Sequence, residues 1–169
     1  QEHYNNVNGS FMRAATAKGL TLHTADDVAS VGPDATTGWG LMNTKFAAET
    51  INTANAGGYA IISELNLSQG QTYQIQIESN GVDDLMASIS WTDPAGTVNN
   101  GTNSSTPALV NDLDLRVVGN GSVYQPWVLN PLSPSSAATV VGRLSALQGL
   151  ENGLDVSRIH IGQDILMAG

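Results

Sequence analysis

The spacing of apolar positions along the chain changes near residue 57. Before it, apolar residues recur at helical intervals; after it, they alternate with polar ones. The run Phe11-Met12-Arg13-Ala14-Ala15-Thr16-Ala17-Lys18-Gly19-Leu20-Thr21-Leu22-His23-Thr24-Ala25 is rich in helix formers and predicts a helix. Asn8-Gly9-Ser10 supplies a turn and an N-cap in front of it. A loop through Gly32-Pro33-Asp34 and Gly38-Trp39-Gly40 leads to a second predicted helix, from about Asn43 to Thr53. Its apolar stripe is Phe46, Ala47 and Ile51. Asn55-Ala56-Gly57-Gly58 then ends the helical pattern, which places a boundary between a helical segment, 1–56, and a β segment, 57–169.

In the second segment Tyr59 to Leu67 is a strand candidate. Thr72 to Glu78 alternates, with Tyr73, Ile75 and Ile77 on one face and Thr72, Gln74 and Gln76 on the other. Asn80-Gly81 is a turn signal, Leu85 to Trp91 a further strand, and 99–106 a polar loop. Leu113 to Val118 reads as the next strand, which Asn120-Gly121 turns into Val123-Tyr124 as a hairpin. Short strands with turns every eight to twelve residues predict a mainly β chain: an antiparallel β-sandwich of jelly-roll type behind a short helical segment.

Within this pattern, Leu109-Val110-Asn111-Asp112-Leu113-Asp114-Leu115 carries two carboxylates on one strand face. Neighbouring carboxylates repel unless a cation or hydrogen-bond donors hold them. Asp93, in the turn Trp91-Thr92-Asp93-Pro94, is placed to join them. A solvated strand face or an Asx cluster explains these acids as well as a bound calcium ion does.

The 169 residues fit one domain, or a small domain with a piece of another. A net charge of -9 with only six Lys and Arg, none in a stripe, argues against nucleic acid as a partner. No apolar run approaches the roughly 20 residues needed to span a bilayer, so no membrane partner is expected. With no cysteine there is neither disulfide framework nor thiol chemistry. Plentiful Gly, Asn, Ser and Thr with scarce Lys lean towards a secreted, extracellular protein.

Catalytic constellations are absent from the pattern. There is no Gly-x-Ser-x-Gly elbow, no His-Glu-x-x-His pair and no phosphate-cradling glycine loop. His3, His23 and His160 stand far apart, and His23 reads as a buried or capping histidine. Asp26-Asp27 and Asp83-Asp84 read as a helix end and a turn. Trp39, Trp91 and Trp127 are either packing residues or a sugar-stacking platform, which keeps open a carbohydrate- or protein-substrate-binding β-sandwich module.

Two motif sets carry a family resemblance. Met12 to Asp27, followed by Gly32-Pro33-Asp34 and Thr37-Gly38-Trp39-Gly40-Leu41-Met42-Asn43, resembles the end of the catalytic domain of subtilisin-like serine proteases. Trp91-Thr92-Asp93-Pro94, then Leu109 to Leu115, then Val123 to Pro131, resemble the jelly-roll sandwich that some secreted bacterial subtilases carry behind that domain. Residues 10–131 fall within the two sets. The resemblance implies an accessory, stabilising C-terminal region of a secreted serine endopeptidase. Its partners would be the upstream catalytic domain of the same polypeptide and the protein substrate. No position corresponds to the nucleophile motif or to the Asp and His of the triad, which the family carries further upstream, so this chain alone is expected to be inactive. Asp93, Asn111, Asp112 and Asp114 are the candidate calcium ligands. Residues 140–169 depart from the family pattern, and a sandwich without its closing strands would expose an edge open to self-association.

Overall fold

The computed structural model describes residues 1–77, 85–102, 106–119, 122–130, 132–133, 136–139 and, in backbone, 159–160. Three α-helices come first: α1 (Glu2–Asn8), α2 (Ala14–His23) and α3 (Thr44–Asn55). Strands follow, each of two or three residues: β1 (Ala87–Ser88), β2 (Val117–Gly119), β3 (Ser122–Tyr124) and β4 (Ile159–His160).

The helices sit where the apolar spacing puts them, with differences at their ends. Helix α2 starts at Ala14 behind an extended Arg13 that makes no side-chain cap, so Ser10 is not its N-cap. The Asn8-Gly9 turn instead closes α1, an element the apolar spacing does not reveal. Gly9 takes a left-handed φ of 75° and its N–H reaches the Asn5 carbonyl. Asn43 caps α3, its Oδ1 accepting from the Phe46 amide at 2.8 Å.

Met12, Leu20 and Ile51 form the buried apolar cluster, with Tyr4, Val7, Ala17, Ala47 and Ile62 packed against it. All but Ile62 come from the first 56 residues. The core therefore lies among the helices.

The jelly-roll sandwich is not the fold. Among the described residues the strands form two-stranded pairs: β1 with β4, parallel, and β2 with β3, antiparallel. Of the predicted strands, 59–67 keeps a single bridge position at Ile62 and 72–77 has no regular strand. Leu85–Trp91 keeps only Ala87–Ser88, and Leu113–Val118 only its end. The hairpin between 117 and 124 does form, pairing Val118 with Val123; its turn residues Asn120 and Gly121 lie outside the described residues, as do Glu78, Asn80-Gly81 and Asp83-Asp84.

Burial accounts for the difference. A sandwich needs two sheet faces that exclude water from a shared layer. On the 72–77 segment Tyr73 and Ile75 remain 39% and 37% exposed, and Gln74 between them is exposed as well. Along 112–118 the exposure does alternate, Asp112, Asp114, Arg116 and Val118 outward and Leu113, Leu115 and Val117 half-buried. No opposing sheet meets the inward face among the described residues. Period two fixes which side chains share a face; it does not supply a partner strand.

The extended segments are attached to the helices by side-chain seams. At the start of α2, Glu64 Oε1 accepts from the Arg13 amide at 2.7 Å and from Thr16 Oγ1 at 2.5 Å. The Arg13 guanidinium lies 3.5 Å from Glu64 Oε2 and donates to Asn66 Oδ1 at 3.0 Å. One turn further on, Gly19 faces the 87–90 segment so closely that a Cβ there would lie 2.9 Å from Ser90 Cβ. His23, four residues later on the same face, meets Ser88 Oγ through Nδ1 at 2.6 Å. The match is geometric, since four helical residues rise about 6 Å and two strand residues about 6.6 Å. A third seam sets Trp127 on the backbone of Gly32, and the Ala138 amide donates to the Pro33 carbonyl at 3.3 Å.

Candidate functional site

The segment between α2 and α3 is held by backbone and side-chain hydrogen bonds along most of its length. Asp26 and Leu41 exchange both backbone hydrogen bonds at 2.8 Å, and Asp34 and Gly38 exchange theirs at 2.9 Å. Gly38 and Gly40 hold φ of 62° and 100°, a left-handed backbone that favours glycine. A Cβ on Gly40 would run into the Asp26 carbonyl. The Asp26 carboxylate receives Asn43 Nδ2 at 2.9 and 3.1 Å, so the α3 cap is itself held by the loop. Asp34 accepts from the amides of Thr36 and Thr37, both at 2.7 Å, and from Thr37 Oγ1 at 2.8 Å. These bonds, the Thr37 amide foremost, hold its carboxyl below the usual range.

This rigid loop presents apolar side chains to water. Val28, Val31, Trp39, Leu41 and Met42 are between 46% and 77% exposed. A well-ordered turn has no folding reason to display five such residues together in sequence, and such a surface is characteristic of a contact face. Hydrogen bonds fix the loop's backbone, and these five side chains are exposed.

The predicted calcium ligands are not assembled into one shell. Asp93 spends both carboxylate oxygens on N–H donors: Oδ2 on the Val110 amide at 2.7 Å, Oδ1 on the Asn111 amide and Asn111 Nδ2, both at 2.9 Å. Partial burial works to raise its pKa, but these hydrogen bonds outweigh it and leave the carboxyl below its ordinary value. Asn111 is buried at 8% exposure beneath Asp93. Asp112 and Asp114 point outward on the other side, and Asp114 lies 3.9 Å from Arg116. Among the described residues no three His, Asp or Glu side chains converge as a metal shell. Asp93 and Asn111 form a clamp that closes the base of the 94–109 loop, where a Cβ on Gly96 would strike the Ala108 carbonyl.

His23 is buried, at 3% exposure, and bonded to Ser88, as a packing histidine in the last turn of its helix. His3 meets Asn52 at 2.9 Å on the surface. For His160 only the backbone, in β4, is described. Of the tryptophans, Trp127 has its ring against Gly32 and Trp91 is half-buried, leaving Trp39 the most exposed of the three. Glu64, Arg13, Ser88 and Ser90, which join the segments, give no motif signal. Their one trace is the pairing of Gly19 and His23 at helical spacing with two serines at strand spacing.

No helix among the described residues is long and apolar enough to cross a membrane. No protein-family profile, curated protein or solved structure matches the chain.

Proposed function

We propose that this chain is the accessory, stabilising C-terminal region of a secreted subtilisin-like serine endopeptidase, without a catalytic triad of its own. The observation that carries the reading is the 26–43 loop. Its Thr-Gly-Trp-Gly-Leu-Met-Asn segment resembles the subtilase turn in sequence, and its two glycines and its Asn43 cap serve the conformation that such a turn requires. The exposed Val28, Val31, Trp39, Leu41 and Met42 are then the residues that meet the upstream catalytic domain of the same polypeptide. Secretion belongs to the same proposal.

The experiment has two arms. The purified chain should neither cleave casein nor take up a fluorophosphonate probe for activated serines. Mixed with a subtilisin-type catalytic domain that lacks its own C-terminal segment, it should raise that domain's thermal midpoint, and Trp39→Ala should reduce the rise. Casein cleavage by the isolated chain, or no effect on the catalytic domain, would defeat the proposal. Calcium enters it only through Asp112 and Asp114, because an ion at Asp93 must displace three N–H donors. Equal melting in chelator and in millimolar calcium would remove the ion from the account.

A further inference from the structure

We propose that Asn100 is the spontaneous deamidation site among the described residues, and that Asn99 sets its pace. The chemistry needs an asparagine followed by an unhindered amide. The backbone nitrogen of the next residue attacks Cγ, the Cγ–Nδ2 bond breaks, ammonia leaves, and a five-membered succinimide forms. Water then opens the ring to aspartate or isoaspartate, so one water enters for one ammonia lost. Glycine as the next residue offers the least steric resistance. Two Asn-Gly pairs lie in the described residues, Asn8-Gly9 and Asn100-Gly101; Asn80-Gly81, Asn120-Gly121 and Asn152-Gly153 lie outside them.

The two pairs are held differently. Asn8 is the last residue of α1, and its Nδ2 donates to the Tyr4 carbonyl at 3.1 Å. The Gly9 N–H, the nucleophile's position, donates to the Asn5 carbonyl at 2.8 Å as part of the helix cap. Reaction at Asn8 requires both bonds to break and the helix end to unwind. Asn100 is exposed, in a loop free of regular structure, and its carboxamide has no hydrogen-bond partner among the described residues. One restraint remains: the Gly101 N–H donates to Asn99 Oδ1 at 3.0 Å. That Asx turn occupies the hydrogen the amide must shed before it attacks, and so slows the reaction without preventing it. The Asp93–Asn111 clamp fixes the loop base, so conversion at the tip adds a negative charge to a chain already at -9 without undoing the clamp.

The test is peptide mapping by mass spectrometry, with isoaspartate detection, on the full chain incubated in mildly alkaline buffer. In the folded protein the Asn100 peptide should convert to a mixture of aspartate and isoaspartate while the Asn8 peptide stays largely intact. In denaturant the two should converge. Asn99→Ala should quicken conversion about two- to tenfold, the factor a net hydrogen bond represents; Asn99→Asp, which keeps and charges the acceptor, should not. Asn8 keeping pace with Asn100 in the folded protein would overturn the proposal. So would an unchanged rate in Asn99→Ala, or conversion to aspartate without isoaspartate.

Discussion

Residues 1–56 and residues 59–77 both carry a sequence signal for regular structure and are unequal in structure. In the first region a helix satisfies its backbone from its own residues, so apolar spacing only has to find one other helix to bury against. Leu20 of α2 and Ile51 of α3 do so, with Met12 just ahead of α2 completing the cluster. In the second region an extended segment needs hydrogen-bond partners brought from elsewhere in the chain. Tyr73 and Ile75 alternate as a strand should, yet stay exposed because no ladder forms beside them. A pattern of period 3.6 can complete itself locally, whereas a pattern of period two is a demand on distant residues.

That difference can be broken most forcefully by paired core deletions. Leu20→Ala should cost about 3 kcal/mol in chemical denaturation, the usual loss for a buried leucine without room to collapse. Ile75→Ala should cost about 0.5 kcal/mol or less, as surface substitutions do. Similar losses at both positions would mean that the 72–77 segment is buried after all. Next in size is Gly40→Ala, at about 2–3 kcal/mol, since it combines a left-handed backbone with a Cβ directed at the Asp26 carbonyl. Loss of the Asn43 cap should accompany it, seen as lower helical circular dichroism.

The seam between the two regions comes after these. Glu64→Ala removes the acceptor shared by the Arg13 amide and Thr16, and should cost about 2 kcal/mol, within the range for hydrogen bonds to a charged group. It carries a second readout. Burial first, and the Glu64 charge second, push the Tyr4 hydroxyl above its ordinary pKa. Without Glu64 the Tyr4 titration should move back down, whereas loss of packing alone would leave the charge effect in place. A raised tyrosine favours the folded state below about pH 10 and loses that contribution as pH climbs through the raised value.

The smallest expected effect is acid sensitivity at the clamps. Asp34 and Asp93 both titrate below their ordinary value in the folded chain. Their contribution is therefore full above the unfolded carboxylate range, about pH 4, and lost as pH falls through the lower folded values. Asp93→Asn should flatten the acid limb of stability against pH and leave the alkaline limb unchanged. An unaltered acid limb in both Asp93→Asn and Asp34→Asn would put the carboxylates outside the account.

Much of the first region was legible because its signals are local. Gly38 and Gly40 announce a tight turn, Asn43 a cap, and the Ala-rich run before His23 a helix. Helix α1 carries no such signal, since its seven residues bury none of their number completely and pack against α3. In the second region the face assignment at Asp112, Leu113 and Asp114 and the 117–124 hairpin were legible, the hairpin because its turn is two residues long. The sandwich was not, because alternation is silent about what covers the inward face. Asp93 reads from the sequence as a metal ligand; its partners are two backbone amides and the Asn111 carboxamide, and residue type reveals none of these contacts.

The central claim is that, among the described residues, the buried apolar cluster lies in the helical region and the segments after it are held to that region mainly through side chains. Native-state hydrogen exchange read residue by residue tests it directly. The amides of Ala15–His23 and of the body of α3 should be protected to similar degrees, and those of 72–77 should exchange at rates close to an unfolded peptide. Protection of alternate amides along 72–77 at the level of the helices would contradict the account.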